Sequence, residues 1–385
     1  MISMKILLAE PEYYTKYPPL GLLKIGKMEE RNGSYVRLIR GNTIINDFTP
    51  DKIYITSLFT YAWKPVHEAI EFCMKAYPDS EIIVGGIYAT LMPEKLRKVF
   101  PLIEIHTGLY PQAEELLPAY HLLKEVERWR NWDKSIVFSS RGCVRKCPFC
   151  VVPKIEGGFK ADKSSIMPFT HPGHKRVVIW DNNFLASPYS KGILRELIEY
   201  KITPDFNQGL DARLIDEEAA LILARLKPKS IHFAYDFKEE ASQVEKAISL
   251  LSKAGFSKRN LIFYMLYNFY DHSNNMGDTP ADFFYRLNDL IKWGVTAYPM
   301  RYVPLDSLDK NKFISPLWNA EKLEMIARAR RVLGYGGSFV PYNGFVNKIK
   351  NSKCFEEAME LRPINEESKL NKTIDAYNNL SVLMV

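Results

Sequence analysis

The 385-residue chain has few cysteines, no long apolar run and no block of charge of one sign. Its five cysteines are Cys73, Cys143, Cys147, Cys150 and Cys354; two of them stand alone, so they make no disulfide framework, and reduced thiols fit them better. No stretch approaches the roughly 18 consecutive apolar residues of a membrane span, and the opening MISMKILLAEPEYY turns acidic too early for a secretory signal. Both absences point to the cytoplasm. The net charge of +7 comes from 52 Lys and Arg against 45 Asp and Glu, and no basic run is interleaved with aromatics at a length that would argue for nucleic acid by itself. A chain 46% hydrophobic and 25% charged is that of a folded protein, and its length suits roughly two or three domains.

What the chain does have is a repeating strand and helix rhythm. Apolar runs at Met4–Ala9, Tyr35–Ile39, Lys52–Leu58 and Glu81–Val84 read as strands, with helices from Pro18 to about Arg31 and over Pro65–Ala76. This alternation predicts an α/β fold, an N-terminal doubly wound, Rossmann-like parallel sheet. Ligands of such sheets lie beyond the carboxyl ends of the strands, here near Glu10, Ser57, Gly85-Gly86 and Thr107-Gly108. Residues 119–134 read as a charged connecting helix or linker. From Ser135 the rhythm resumes with strands at 135–140, 176–180, 205–210, 230–235, 261–267 and 297–303, which predicts a partial (βα)6 barrel over 135–305. A small, mostly helical region follows over 306–385, with helices expected at Ala320–Leu333 and Lys348–Leu361.

Three of the five cysteines fall within eight residues, at the end of the first barrel strand: Cys143-Val144-Arg145-Lys146-Cys147-Pro148-Phe149-Cys150. Thiolates bind soft metals and iron–sulfur clusters; a set of three leaves one iron of a four-iron cluster open to another ligand. Gly142 lets the backbone wrap closely at the start of the loop. The spacing Cys143-x3-Cys147-x2-Cys150, with Phe149 before the last cysteine, resembles the signature of the radical S-adenosylmethionine (radical SAM) superfamily. The resemblance implies a [4Fe-4S] cluster on Cys143, Cys147 and Cys150, with S-adenosyl-L-methionine (SAM) chelating the fourth iron through its amino and carboxylate groups. It further implies a one-electron reductant, flavodoxin- or ferredoxin-like, and a 5′-deoxyadenosyl radical that usually abstracts a substrate hydrogen.

Residues at the other strand ends take expected roles from the same resemblance. Asp181, with Asn183, stands where the superfamily carries a Gly-Gly-Glu-like motif for the SAM amino group, although Asp-Asn pairs also serve as helix caps. Arg213 is placed to fork onto the SAM carboxylate and Gln208 or Asp211 to bind ribose hydroxyls, with an Asp–Arg surface pair as the competing reading. Asp236 stands where related barrels often carry Glu. Tyr267 and Asn268 fall near the expected adenine site, Tyr267 being equally a packing residue. Residues 1–118, with Pro18-Pro19-Leu20-Gly21-Leu22-Leu23, Ser57-Leu58-Phe59 and Gly85-Gly86, resemble the N-terminal cobalamin-binding domain of one large radical SAM class. The D-x-H-x-x-G loop of that class, whose His can ligate cobalt, is missing, and His67 and His106 are the only histidines of the domain.

Three functions follow. One is a radical SAM enzyme that uses cobalamin bound near Ser57, Gly85 and Gly86 to methylate an unactivated carbon. The second keeps the radical chemistry but uses a cobalamin-free first domain for docking or dimerisation. The third is a zinc-stapled module in which Cys147, Cys150, His171 and His174 hold the metal and the positive charge binds nucleic acid; it leaves Cys143 without a role and has only two residues between its histidines, where zinc fingers favour three to five. Methylthiolation and auxiliary-cluster maturation need further cysteines, and only Cys73 and Cys354 remain. The substrate is not identified by the sequence, and nucleic acid stays open as a partner.

Overall fold

The computed structural model describes residues 3–361. Five parallel strands come first: β1 (Lys5–Glu10), β2 (Tyr35–Arg40), β3 (Lys52–Ser57), β4 (Glu81–Gly86) and β5 (Glu104–Ile105), in the order β2-β1-β3-β4-β5. β1 reads Lys-Ile-Leu-Leu-Ala-Glu and is apolar on both faces, so both faces need cover. α1 (Leu20–Arg31) covers one, burying Leu22 and Leu23 against Ile6 and Leu8. α2 (Trp63–Ala76) covers the other, with Val66 and Ile70 against Leu7, Ile53 and Ile55. The short helices α3 (Ile87–Leu91), α4 (Pro93–Val99) and α5 (Pro111–Glu114) complete this doubly wound unit.

The expected connecting helix is not there. Residues 119–134 contain two tight 3-10 turns, Tyr120–Glu125 and Glu127–Trp129, that lie flat on the α1 side of the sheet. Leu122, Leu123, Val126 and Trp129 join the cluster of Ile6 and Leu8, while the charged residues between them face solvent. The charges are therefore the outer face of a strap packed on the first sheet, and the segment is not a free linker.

The second half continues with β6 (Lys134–Val137), β7 (Ser140–Arg141), α6 (Val152–Ile155), β8 (Lys160–Ala161), β9 (Arg176–Ile179), α7 (Ser190–Glu199), β10 (Thr203–Asp205), α8 (Glu217–Leu226), β11 (Ile231–Ala234) and α9 (Ala241–Lys253). Then come β12 (Leu261–Tyr267), the hairpin β13 (Tyr270–Asp271) and β14 (Met276–Gly277), α10 (Pro280–Trp293) and β15 (Thr296–Arg301). Strands β6, β9 and β10 form one parallel sheet, and β11, β12 and β15 another. A parallel bridge between Leu210 and Phe233 joins them, so the six strands follow one another round a partial barrel. Helices α7 to α10 bury Ile193, Leu223, Ile248 and Phe283 against its outer face.

The third barrel strand was expected to reach Leu210 but ends at Asp205. The chain turns at Phe206–Gly209, where Gly209 takes φ +86°, and Leu210 rejoins the sheet by donating to the His232 carbonyl at 2.7 Å. That turn moves Gln208 to the barrel rim. Beyond the barrel, α11 (Ala320–Leu333), α12 (Asn343–Asn351) and α13 (Phe355–Met359) add Ile326, Phe345 and Phe355 to the same core. The helix expected over Lys348–Leu361 is thus two helices interrupted near Ser352, and residues 362–385 of the expected C-terminal region lie outside the described residues. No helix among the described residues is long and apolar enough to cross a membrane.

Candidate active site

The cysteine loop leaves the barrel through a kink between β6 and β7, and Asp181 holds that kink. Its carboxylate accepts from the Ser139 N–H at 2.9 Å and from the Ser139 and Ser140 hydroxyls, each at 2.6 Å, and the residue is 1% exposed. Burial pushes its pKa up, and the serine donors oppose the rise. With both oxygens engaged, Asp181 is a fastener for the strand that carries the loop, and it is not placed to receive an ammonium. The loop closes at its base through Glu156, which accepts from Gly142 N–H at 2.7 Å and from Asn182 Nδ2 at 2.9 Å, and pairs with Arg141 at 3.2 Å. Gly142 has φ +70°, and a Cβ there would stand 2.4 Å from the Gly158 carbonyl oxygen, so only glycine lets the two arms meet.

Cys143, Cys147 and Cys150 line one cavity of about 260 Å³ at the carboxyl end of the barrel, together with Asn183, Gln208, Asp211, Arg213, Asp236 and Glu240. Phe149 lines it too, so the expected residues brought together are the three cysteines, Phe149, Asn183, Gln208, Asp211, Arg213 and Asp236; Arg145 and Asn182 line the same cavity, and Glu240 joins them without having been expected. Asp211 is the hub. It accepts from Arg145 Nε at 3.0 Å, from Asn183 Nδ2 at 3.1 Å and from Arg213 Nε at 2.6 Å. Burial opposes its ionisation, yet Arg213, Arg145 and Asn183 outweigh burial and hold the carboxyl below its ordinary range. Arg213 is also paired with Glu240, so its guanidinium sits between two carboxylates. Burial pushes the Asp236 carboxyl up, partly offset by the Leu266 N–H that it accepts at 2.8 Å.

The sulfurs show how a cluster fits. Cys143 Sγ accepts from the Arg145 N–H at 3.3 Å and from Asn183 Nδ2 at 3.7 Å, donors suited to a thiolate. Burial, then the charges of Cys150 and Asp236, push the Cys147 thiol up to about 11, and burial raises the Cys150 thiol too, a direction that a bound cationic metal group would reverse. Asn183 Oδ1 is buried with no hydrogen-bond partner, an acceptor facing a missing donor. His171 and His174 lie with ring centroids 4.6 Å apart and planes tilted by 37° near Ser135, at the start of β6 and the opposite end of the strand from the cysteines. The zinc arrangement is therefore not assembled.

Beside this cavity lies another of about 280 Å³ that shares Phe149 and Asp236 and adds Phe237, Leu266 and Phe269. Phe149 stacks on Phe237 at 6.0 Å and meets Phe269 edge-on at 5.4 Å. Tyr267 and Asn268 are not there. Tyr267 falls on the helix side of β12, against Phe283 and Trp318, because alternate strand residues point to opposite faces. Asn268 is fully buried, donates to the Phe313 carbonyl at 3.0 Å and accepts from the Ser315 N–H at 2.9 Å. The flat apolar surface comes instead from Phe237 and Phe269, each one residue past an expected site residue.

The first domain presents a cleft of about 230 Å³ towards the barrel, edged by Gly85 and Gly86 and walled by Tyr54, Tyr110, Phe138 and Trp180. Ser57 does not line it: its Oγ donates to the Gly85 carbonyl at 2.8 Å and accepts from the Ala89 N–H at 3.1 Å. Glu114 closes one end, bonded to Arg141 at 2.6 Å, and its carbonyl accepts from Lys24 Nζ at 2.7 Å. The glycine edge suits a flat group, and a whole corrinoid would need this cleft to widen. His67 is buried against Tyr88, and His106 bonds the Leu109 carbonyl at 3.0 Å, so neither is offered to cobalt.

No protein-family model and no curated protein matches the sequence. Solved structures do match the fold. The chain is similar to TsrM, a radical S-adenosylmethionine methyltransferase from Kitasatospora setae solved with cobalamin and a [4Fe-4S] cluster bound, with a TM-score of 0.59 and 14% identity over 79% of this chain and 74% of that one. A structure of TsrM with tryptophan substrate and the SAM analog aza-SAM gives a TM-score of 0.58 and 14% identity over 79% and 75%. HemN, the coproporphyrinogen III oxidase of Escherichia coli and a radical SAM enzyme, covers 60% of both chains at a TM-score of 0.37 and 12% identity. The chain thus has the two-part fold of TsrM, a Rossmann-like sheet followed by a partial barrel.

Proposed function

We propose that this chain is a radical SAM enzyme in which Cys143, Cys147 and Cys150 hold a [4Fe-4S] cluster and SAM fills the adjoining cavity. The observation that carries the proposal is three cysteines on one cavity with the orphaned acceptor Asn183 Oδ1 beside them. When bound, the cluster supplies the single electron that splits a carbon–sulfur bond of SAM, delivered by a flavodoxin- or ferredoxin-like donor. The protein's part is to place SAM. Asn183 Oδ1 accepts from its ammonium, Arg213 takes its carboxylate, Gln208 and Asp236 reach the ribose hydroxyls, and Phe149, Phe237 and Phe269 enclose the adenine.

The finer reading is methyl transfer through cobalamin seated on the Gly85-Gly86 edge, supported by the shared fold with a cobalamin-bound methyltransferase. The second reading, a cobalamin-free first domain used for docking or dimerisation, is favoured by the small cleft and the engagement of both histidines. The experiment is anaerobic reconstitution with iron and sulfide, then reduction with SAM, with and without hydroxocobalamin. About four irons per chain and release of 5′-deoxyadenosine are expected; a colourless protein holding zinc ends the proposal. Corrinoid retained through desalting supports methyl transfer, and its complete loss supports the second reading.

A further inference from the structure

The inner wall of the barrel is closed on the β6 and β9 side, where Ile136 and Val178 pack with Leu20, and is open along β12. On β12, Leu261, Phe263, Met265 and Tyr267 are buried under the helices, whereas Ile262, Tyr264 and Leu266 on the lumen face are only half-buried. The register sets Tyr264 between Ala234 and Tyr298, and Ala234 and Met300 on this face are exposed. A closed barrel fills such positions with interlocking layers. Here they are left partly open to solvent.

The space beside this face is aromatic, and Arg330 lies over the outer part of it, 5.3 Å from the Tyr298 ring centroid. The His232 ring stacks on Tyr264 at 5.4 Å with planes 7° apart, and Tyr264 meets Tyr298 edge-on at 5.7 Å. Tyr17, from the segment between β1 and α1, meets Trp180 edge-on at 5.3 Å and donates to Asn207 Oδ1 at 2.7 Å. Asp205, paired in register with Val178 on the lumen side, is felt electrostatically by Tyr17, Tyr264 and His232 and takes no part in the ion pairs of the described residues. The charge of Lys16, exposed beside Tyr17, also registers at His232. His232 Nδ1 and Trp180 Nε1 are buried without a hydrogen-bond partner. An unpaired carboxylate among aromatic faces attracts an organic cation.

We propose that the lumen binds an organic ammonium ion, a protonated amine on a ring-bearing carbon skeleton, through Asp205 and the faces of Tyr17, Trp180 and Tyr264. This rests on the radical SAM reading and names its substrate class. His232 lies two residues down β11 from Ala234, which lines the cysteine cavity, a drop of roughly 6–7 Å along the strand. An amine held at that depth directs its carbon skeleton towards the cavity.

The test is calorimetric titration of the full-length protein, without SAM, with phenethylamine, its neutral counterpart 2-phenylethanol and the anion 3-phenylpropionate. Phenethylamine is expected to bind about tenfold more tightly than 2-phenylethanol. Asp205→Asn should bring the two to parity, and Tyr264→Leu should weaken both. Equal binding of amine and alcohol by the unaltered protein, preference for the anion, no saturable amine binding at millimolar concentration, or an Asp205→Asn variant that keeps the preference would each overturn the proposal. Because the titration needs neither cluster nor SAM, it fails independently of the deoxyadenosine assay.

Discussion

The carboxyl ends of the two parallel sheets face each other, and they use their polar groups in opposite ways. At the end of the first sheet the groups are spent on the fold itself: Ser57 bridges Gly85 and Ala89, Thr90 Oγ1 donates to the Gly86 carbonyl at 2.7 Å and accepts from the Gly108 N–H at 2.9 Å, and both histidines are engaged. At the barrel end, three sulfurs and an unpartnered amide oxygen face a cavity, braced from behind by Asp181 and Glu156. The difference teaches that strand-end position alone does not make a site. A site has groups left over after the fold has been satisfied.

The largest expected effect lies at the barrel end. Cys147→Ala removes one of three ligands, and the reconstituted variant should lose its iron–sulfur absorbance and form no 5′-deoxyadenosine above background. Retained turnover would show that the sulfurs and the reaction are unconnected. At the other end the expected loss is of stability. Gly86 has φ +102°, and a Cβ there would sit 2.2 Å from the Ser57 carbonyl oxygen, so Gly86→Ala should cost at least about 3 kcal/mol in a urea melt. Gly85 is the internal control, because its added Cβ would meet His106 at an ordinary 3.8 Å and should cost below about 1 kcal/mol. If both variants melt alike, the left-handed backbone and close approach at Gly86 are not what this turn depends on.

Much of this contrast could be read in the sequence, for physical reasons. Apolar runs buried on two faces, such as Ile6 to Ala9, announce themselves as parallel strands, and three sulfurs within eight residues have few uses. Cys143, Cys147, Cys150, Asn183, Gln208, Asp211, Arg213 and Asp236 line one cavity, and their expected grouping came from the βα rhythm together with the resemblance to the radical SAM superfamily. What the sequence hid depends on a single residue of register or on a turn. Tyr267 sits one residue off the lumen face, Phe237 and Phe269 lie one residue beyond the expected positions, and Gly209 ends a strand that its apolar neighbours would have continued. The resemblance puts Asp181 at the SAM amino group, with a helix cap as the competing reading; only the hydroxyls of Ser139 and Ser140, some forty residues away in sequence, show its carboxylate engaged in the fold. The strap at Tyr120–Trp129 was hidden by its charges, since an outward face reads like a solvated linker.

The smallest effect concerns Lys24, the one cation at the cleft that the fold compensates poorly. Burial lowers its pKa from 10.5 to about 8, with Glu114 opposing and Arg141 and Lys163 adding to the fall. By contrast, Arg213 at the barrel end stands between two carboxylates. A folded-state pKa below the unfolded value means that the unfolded chain holds more protons between about pH 8 and pH 10.5, so stability rises with pH across that window. The rise should be on the order of 2–3 kcal/mol. Lys24→Met should remove it while leaving the contributions of every other lysine and tyrosine in place, so the difference between the two pH profiles isolates the one group. A flat difference would mean that Lys24 is solvated and the cleft is wetter than its walls imply. An anionic ligand seated beside Lys24 would restore its charge and flatten the profile of the unaltered protein in the same way, which turns the slope into a reporter of whether the cleft is filled.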